Sequence, residues 1–195
     1  MKSYLNQLFI PHPVALQRNL IDSYQWHQWI WGAFPDSPAD QRRFLFRKDV
    51  QGENVRLLLL SEQKPKPIDG WSWKTRMISA EFLMHNTYRF QVRANPTFRR
   101  SADRRRVPLR READLLTWFQ RKLRAAGCRV QSIEVDQPQD VYFYKDGNTG
   151  LHISVDARGL IEVTDRHAFQ TAFSEGIGPA KGFGFGLLMV QPVAL

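Results

Sequence analysis

Tyr24 and His27 form a pair of residues whose types and spacing allow acid–base chemistry. A separation of three residues puts both side chains on one face of a helix. Histidine exchanges a proton near neutral pH, and a tyrosine hydroxyl can position or donate to a phosphate. With a cation to stabilise developing charge, this set suits metal-free cleavage of RNA, in which a 2′-OH is deprotonated and the 5′-oxygen is protonated. The alternative is an ordinary core histidine, because His27 lies within the apolar stripe of its segment.

A candidate for the cation is the lysine in a glycine-rich run near the C-terminus, Gly176-Ile-Gly-Pro-Ala-Lys-Gly-Phe-Gly-Phe-Gly186. Backbone N–H groups beside a lysine suit a polyanion such as an RNA backbone. The glycine spacing matches neither the dinucleotide-binding pattern nor the P-loop. The alternative is a glycine-rich turn before a last buried strand at 187–190. The candidate RNA-binding residues of this run are Lys181, Gly178, Gly182 and Gly184.

The net charge of +9 is concentrated in one segment. Residues 99–111 contain seven arginines and one acid, Asp103, and so carry +6 of that charge. Such a cluster attracts a polyanion and makes binding salt-dependent, although a solvated charge run is the ordinary alternative. We also expect Lys145 to lie at a hairpin tip that could enter an RNA groove. The remaining candidate RNA-binding residues are Arg93, Arg99, Arg100, Arg104, Arg105 and Arg106.

Several functional classes find no support in the sequence. The five histidines have no Cys, Asp or Glu partner at metal-ligand spacing, so we expect neither a metal nor a small-molecule cofactor. No run reaches the roughly 18–20 apolar residues that cross a bilayer, and the start of the chain lacks the apolar segment of a signal peptide. The single cysteine, Cys128, excludes an internal disulfide. We therefore expect a cytoplasmic protein without membrane contact.

Hydrophobic periodicity indicates an α+β chain. The order of elements is β-α-β-β-loop-β followed by β-α-β-β-α-β, which fits two ferredoxin-like units, the first with a degraded second helix. We place the boundary near residues 84–86, giving units 1–85 and 86–195. Three expectations are specific: one helix over 14–31, a strand over 43–48, and a turn at 156–159 between two short strands. The apolar stripe of the first helix contains Leu20, Tyr24, His27, Trp31 and Phe34.

The glycine-rich run is similar to a signature of the CRISPR-associated RAMP endoribonucleases, and the chain most resembles their CasE-type members. Four further stretches agree with that family in the same order along the chain. They are Tyr24-Gln-Trp-His-Gln-Trp-Ile-Trp-Gly-Ala-Phe-Pro35, Phe44-Leu-Phe46, Arg89-Phe-Gln-Val-Arg-Ala-Asn-Pro96, and Arg106-Val-Pro-Leu109 continuing to Trp118-Phe-Gln-Arg-Lys-Leu123.

The resemblance implies tandem ferredoxin-like, RRM-like domains, with His27 catalytic and Tyr24 beside it. It also implies cleavage of CRISPR precursor RNA at the 3′ base of the repeat stem-loop, and retention of the product as a subunit of Cascade. The partners would then be the repeat stem-loop RNA and the other Cascade subunits. A second hypothesis is a non-catalytic RNA-binding scaffold of the same fold, which would share every basic residue and differ at His27.

Overall fold

The computed structural model describes residues 3–35, 44–145 and 147–193. The first sheet contains the strands β1 Ser3–Pro11, β2 Phe44–Gln51, β3 Asn54–Ser61 and β4 Lys74–Ile78. Their spatial order is β2-β3-β1-β4, with antiparallel neighbours. Two helices, α1 His12–Gln17 and α2 Ser23–Trp31, lie between β1 and β2 in the chain. Residues 62–73 lead from β3 to β4 without a helix, as the sequence predicts for this unit.

The second sheet follows a short 3-10 turn at Glu81–Leu83. Its spatial order is β11-β5-β10-β8, and its strands are β5 Thr87–Ala94, β8 Cys128–Val135, β10 Asn148–Val163 and β11 Leu188–Pro192. Helix α3, Glu112–Ala125, precedes β8, and helix α4, Arg166–Glu175, precedes β11. Both sheets place the first and third strands of their unit at the centre. The tandem ferredoxin-like arrangement predicted from the sequence is therefore confirmed.

Two hairpins extend the second unit. The first joins β6, Thr97–Arg99, to β7, Arg106–Pro108, and carries the arginine-rich segment. The second joins β9, Gln139–Lys145, to the first half of β10. Because neither hairpin belongs to the four-stranded core of its sheet, both are available to shape a binding surface.

The predicted single helix over 14–31 is wrong, because the chain forms α1 and α2 with a break between them. The break ends at Asp22, whose side chain accepts hydrogen bonds from the backbone N–H groups of Tyr24 and Gln25. The Gln25 side chain accepts in return from the Asp22 N–H at 3.0 Å. This reciprocal capping box starts a new helix. Restarting the helix also changes which residues it buries: they are Trp26 and Ile30, whereas Tyr24 and His27 are only half-buried.

The predicted turn at 156–159 is also wrong, because β10 runs unbroken through it and pairs with β5 on one side and β8 on the other. The Asp-Ala-Arg-Gly sequence favours a turn only in isolation. Here Gly159 permits close approach of β8, since a Cβ at that position would lie 2.0 Å from the Ser132 carbonyl oxygen. The predicted strand over 43–48 corresponds to β2, with Arg43 itself outside the described residues.

Buried ion pairs join the two units. Arg47, in β2, is 5% exposed, and its guanidinium lies 2.9 Å from Asp49 and 2.7 Å from Asp156 in β10. Arg93, in β5, donates to Asp156 at 2.8 Å and to the Lys48 carbonyl at 2.8 Å. Burial opposes ionisation of Asp49, but hydrogen bonds from its arginine neighbours outweigh burial and lower its pKa. The Asp49 carboxylate is thus charged, and the ion pairs of Asp49 and Asp156 fix the second unit against β2.

Replacing Asp156 with Asn should destabilise the protein by about 2–4 kcal/mol, because the buried Arg47 charge loses one of its carboxylate partners. Urea unfolding measures this change. The matched control is Asp140→Asn, which removes a pair with Arg110 whose side chains are 36% and 51% exposed. We expect the control to cost less than about 1 kcal/mol. Equal costs for the two variants would contradict a stabilising role for the network.

Candidate active site and RNA-binding cleft

Helix α2 presents Tyr24 and His27 one turn apart, and the Asp22 cap sets the direction in which they point. The second carboxylate oxygen of Asp22 accepts from the backbone N–H of Tyr144 in β9 at 2.7 Å. One aspartate therefore starts the helix and also attaches to it the β9–β10 hairpin of the other unit. At the tip of that hairpin, the Lys145 ammonium lies 5.5 Å from the centre of the Tyr24 ring.

His27 lies at the edge of the first unit's core. Its ring centre is 5.3 Å from that of Trp31, 5.4 Å from Phe44 and 6.3 Å from Phe46. On the other side it faces the glycine-rich loop, since a Cβ on Gly182 would lie 3.8 Å from Cε1 and 3.9 Å from Nε2 of His27. The core of α2 consists of Trp26 and Ile30. His27 is therefore a boundary residue whose imidazole edge meets the loop.

The glycine-rich loop, residues 176–186, is shaped by its contacts with protein. Gly184 has φ +85°, and a Cβ there would lie 3.1 Å from the buried Phe46 ring. A Cβ on Gly178 would lie 2.8 Å from Trp118. These approaches require glycine whether or not RNA is present. The role of Gly178, Gly182 and Gly184 in binding RNA stays a prediction.

Lys181 borders a basic cleft of about 730 Å³. The cleft lies between the β6–β7 hairpin, the C-terminal half of α3 and the glycine-rich loop. Among the described residues, its lining includes five cationic side chains and no acidic one: Arg99, Arg106, Arg121, Lys122 and Lys181. A concave surface with one sign of charge concentrates a polyanion. The cleft thus runs from the arginine-rich hairpin to the loop that contacts His27.

Arg121 and Lys122 are cleft residues that the sequence reasoning missed. They lie in the Trp118–Leu123 stretch, which the sequence analysis used only as one of the stretches that agree with the family. For Arg121 the signal is its place on α3 away from the stripe that buries Leu115, Phe119 and Leu123, because such residues of an amphipathic helix face outward. Lys122 lies in the last turn of α3, and its ammonium is 5.6 Å from the centre of the Trp118 ring.

A family model described as "CRISPR associated protein" matches residues 4–192. The chain belongs to this CRISPR-associated family. The resemblance found in the sequence is thereby confirmed. Among curated relatives, "CRISPR system Cascade subunit CasE" of Escherichia coli K12 is 33% identical over 186 residues, covering 88% of this chain and 93% of that protein. "CRISPR-associated endoribonuclease Cse3" of Thermus thermophilus is 35% identical over 202 residues, covering 93% and 96%.

Solved structures of family members agree with the fold. The crystal structure of "CRISPR-associated protein Cas6e" from E. coli K-12 has a TM-score of 0.77 at 30% identity, covering 97% of this chain and 100% of that one. Thermus thermophilus Cse3, bound to "an RNA representing a pre-cleavage complex", has a TM-score of 0.83 at 25% identity, covering 98% and 100%. The likeness therefore extends over both units of this family member.

Several predicted RNA-binding arginines have partners within the protein. Asp103 accepts from Arg100 and lies 3.5 Å from Arg105, so one acid offsets part of the charge at the tip of the β6–β7 hairpin. Arg93 is engaged by Asp49, Asp156 and a carbonyl at the interface between the units. RNA contacts by Arg93, Arg100, Arg104 and Arg105 stay predictions, and for Arg93 the structure supplies a structural role instead.

The described ranges contain no group of three or more His, Cys, Asp or Glu side chains placed to hold a metal ion. They also contain no helix long and apolar enough to span a membrane.

Gly184→Val should destabilise the protein more than Gly70→Val. Both glycines have positive φ, +85° and +83°, so both variants carry similar backbone strain of about 1–3 kcal/mol. At Gly184 the side chain also meets Phe46, whereas nothing lies within 4 Å of a Cβ on Gly70. Thermal unfolding of both variants measures the difference. Equal losses would show that the loop does not need glycine for its packing against Phe46.

Proposed function

We propose that this protein is a metal-independent endoribonuclease that cleaves CRISPR precursor RNA and stays bound to the product as a Cascade subunit. The observation that carries the proposal is the meeting of His27, from the first unit, with the glycine-rich loop of the second, which also borders a basic cleft. The named activity of the T. thermophilus relative and the named assembly of the E. coli relative support it. A protein with this function would act in the cytoplasm.

The reaction requires two proton transfers at one phosphate. The 2′-oxygen beside the scissile bond loses its proton and attacks phosphorus. The bond from phosphorus to the 5′-oxygen then breaks, and that oxygen takes up a proton. The products are a 2′,3′-cyclic phosphate and a 5′-hydroxyl. His27 serves one of the two transfers, since imidazole is the side chain suited to it near neutral pH.

Tyr24 and Lys181 complete the site. Tyr24 lies one turn before His27, with its ring beside the Lys145 ammonium, and we assign its hydroxyl to positioning the phosphate. Lys181 belongs to the loop that contacts His27, and its charge stabilises the phosphorane oxygens as they become more negative. None of these steps calls on a metal ion.

The basic cleft binds the stem of the repeat. A-form RNA is recognised mostly through phosphates and 2′-hydroxyl groups, for which arginine and lysine are suited. The cations of the cleft extend from the glycine-rich loop towards the β6–β7 hairpin. A stem lying along them would reach this loop, and we place the 3′ base of the stem at His27.

His27→Ala should reduce single-turnover cleavage of the host repeat RNA by about 10²–10⁴-fold, the usual value of general acid–base catalysis. Its affinity for a repeat with a 2′-deoxy group at the scissile position should change little. The wild-type protein should cleave in excess EDTA, and end-group analysis should find a 2′,3′-cyclic phosphate and a 5′-hydroxyl. His167→Ala is the matched control, since His167 is exposed on α4.

Wild-type protein that binds the repeat without cutting it would favour the non-catalytic scaffold. Cleavage that requires a divalent ion and leaves a 5′-phosphate would contradict the mechanism. Normal cleavage by His27→Ala would remove His27 from it.

A further inference from the structure

The glycine-rich loop is tied to the rest of the protein differently at its base and at its apex. At the base, the Ile177 N–H donates to the Gly186 carbonyl at 2.8 Å, and the Gly186 N–H donates to the Arg93 carbonyl at 2.7 Å. At the apex, the Phe183 N–H donates to the Ala180 carbonyl at 2.8 Å. This last bond shapes the turn but does not connect it to another element. The apex contains Lys181 and Gly182, so its placement decides how the loop meets His27.

Side-chain rings supply the connection at the apex. The Phe183 ring centre lies 4.6 Å from that of Phe143 in β9 and 4.7 Å from that of His152 in β10. Phe143 and His152 are themselves stacked, with centres 4.5 Å apart and planes 17° apart. Phe183 also contacts Tyr24, at 6.3 Å between ring centres. The three rings of Phe143, His152 and Phe183, which we call the apex cluster, thus join the hairpin, the loop and α2.

The sequence of the hairpin is fitted to this cluster. Gly150 pairs with Phe143 across the two strands, and a Cβ on Gly150 would lie 2.1 Å from the Phe143 ring. The missing side chain lets the ring lie flat across the neighbouring strand and reach His152. Any other residue at 150 would push Phe143 away from this position.

His152 behaves here as an uncharged aromatic ring. Its Nδ1 atom is buried, and no hydrogen-bond partner for that atom exists among the described residues. Burial lowers the pKa of His152 to about 4, so the ring is neutral at neutral pH. A neutral ring can pack against three phenylalanines, the third being Phe185 at 5.5 Å.

We infer that the apex cluster positions Lys181 and Gly182 against His27, which makes Phe143, His152 and Phe183 positioning residues for RNA cleavage. The effect of the apex cluster on cleavage rests on the proposed function. The placement of the loop by the cluster does not depend on that function, and it can be measured without RNA.

Phe183→Ala should lower the single-turnover cleavage rate at least about 10-fold, because small displacements of catalytic groups are costly. Its dissociation constant for the 2′-deoxy repeat should stay within about 3-fold of wild type, since the other four cations of the cleft, Arg99, Arg106, Arg121 and Lys122, are untouched. His152→Ala should act in the same direction, and His152→Phe, which keeps a neutral ring, should recover most of the rate. The matched control is Phe9→Ala, because Phe9 lies in β1 outside the apex cluster and is 42% exposed.

A second measurement is independent of cleavage. Gly182 lies next to His27 Cε1, so the NMR signal of the His27 Hε1 proton reports the position of the loop in the free protein. Phe183→Ala should shift this signal, whereas Phe9→Ala should not. If Phe183→Ala does not fold, Phe183→Leu takes its place in both measurements.

Three results would overturn the inference: an unchanged cleavage rate in a folded Phe183 variant, equal losses of rate and RNA affinity, or an unmoved His27 signal. Failure of the wild-type protein to cleave would instead contradict the proposed function, and the NMR measurement would still decide whether the cluster places the loop.

Discussion

The packing of the glycine-rich loop against α2 and β2 is the contact on which the site depends. His27 belongs to the first unit and Lys181 to the second, so neither unit contains the site by itself. The loop meets Phe46 at Gly184 and His27 at Gly182, and the approach to Phe46 depends on the absence of a side chain at Gly184. The buried pairs of Arg47 and Asp156 hold the two sheets in the position that makes these contacts possible.

Because two units must pack together and also form a cleft, charged residues have two different roles in the chain. Arg47 and Arg93 form ion pairs with carboxylates at the interface, where a buried charge needs a partner. Arg99, Arg106, Arg121 and Lys122 line the cleft, and the part of the chain that the structure describes places no acidic residue in its lining. Total charge predicts a polyanionic partner, but only the fold separates the cations that line the cleft from those that hold the units together. Arg93 shows the difference, because it was a candidate RNA-binding residue and its guanidinium pairs with Asp156 at the interface between the units.

The parts of the structure that follow from local patterns could be predicted from the sequence. The strand predicted over 43–48 corresponds to β2, and the first unit has no helix between β3 and β4, as predicted. The break before α2 could not be read from hydrophobic spacing, because it depends on reciprocal hydrogen bonds of Asp22 and Gln25. The turn predicted at Gly159 failed for a related reason.

Long-range contacts account for what the sequence left open at the site. Tyr24 and His27 were identified from spacing and from family resemblance, but their contact with Gly182, Phe183 and Lys145 depends on how two units pack. His152 drew attention only as a histidine without a metal partner. Its place among phenylalanines appears only when β9, β10 and the loop are brought together.

A double-mutant cycle of His27→Ala and Lys181→Ala tests most directly whether the two units form one catalytic site. Single-turnover cleavage rates would be measured for the wild type, both single variants and the double variant. Groups that act on the same phosphate as one unit are strongly non-additive. We predict that the double variant loses much less than the product of the single losses, a coupling of at least about 1 kcal/mol. Losses that multiply fully would contradict a shared site.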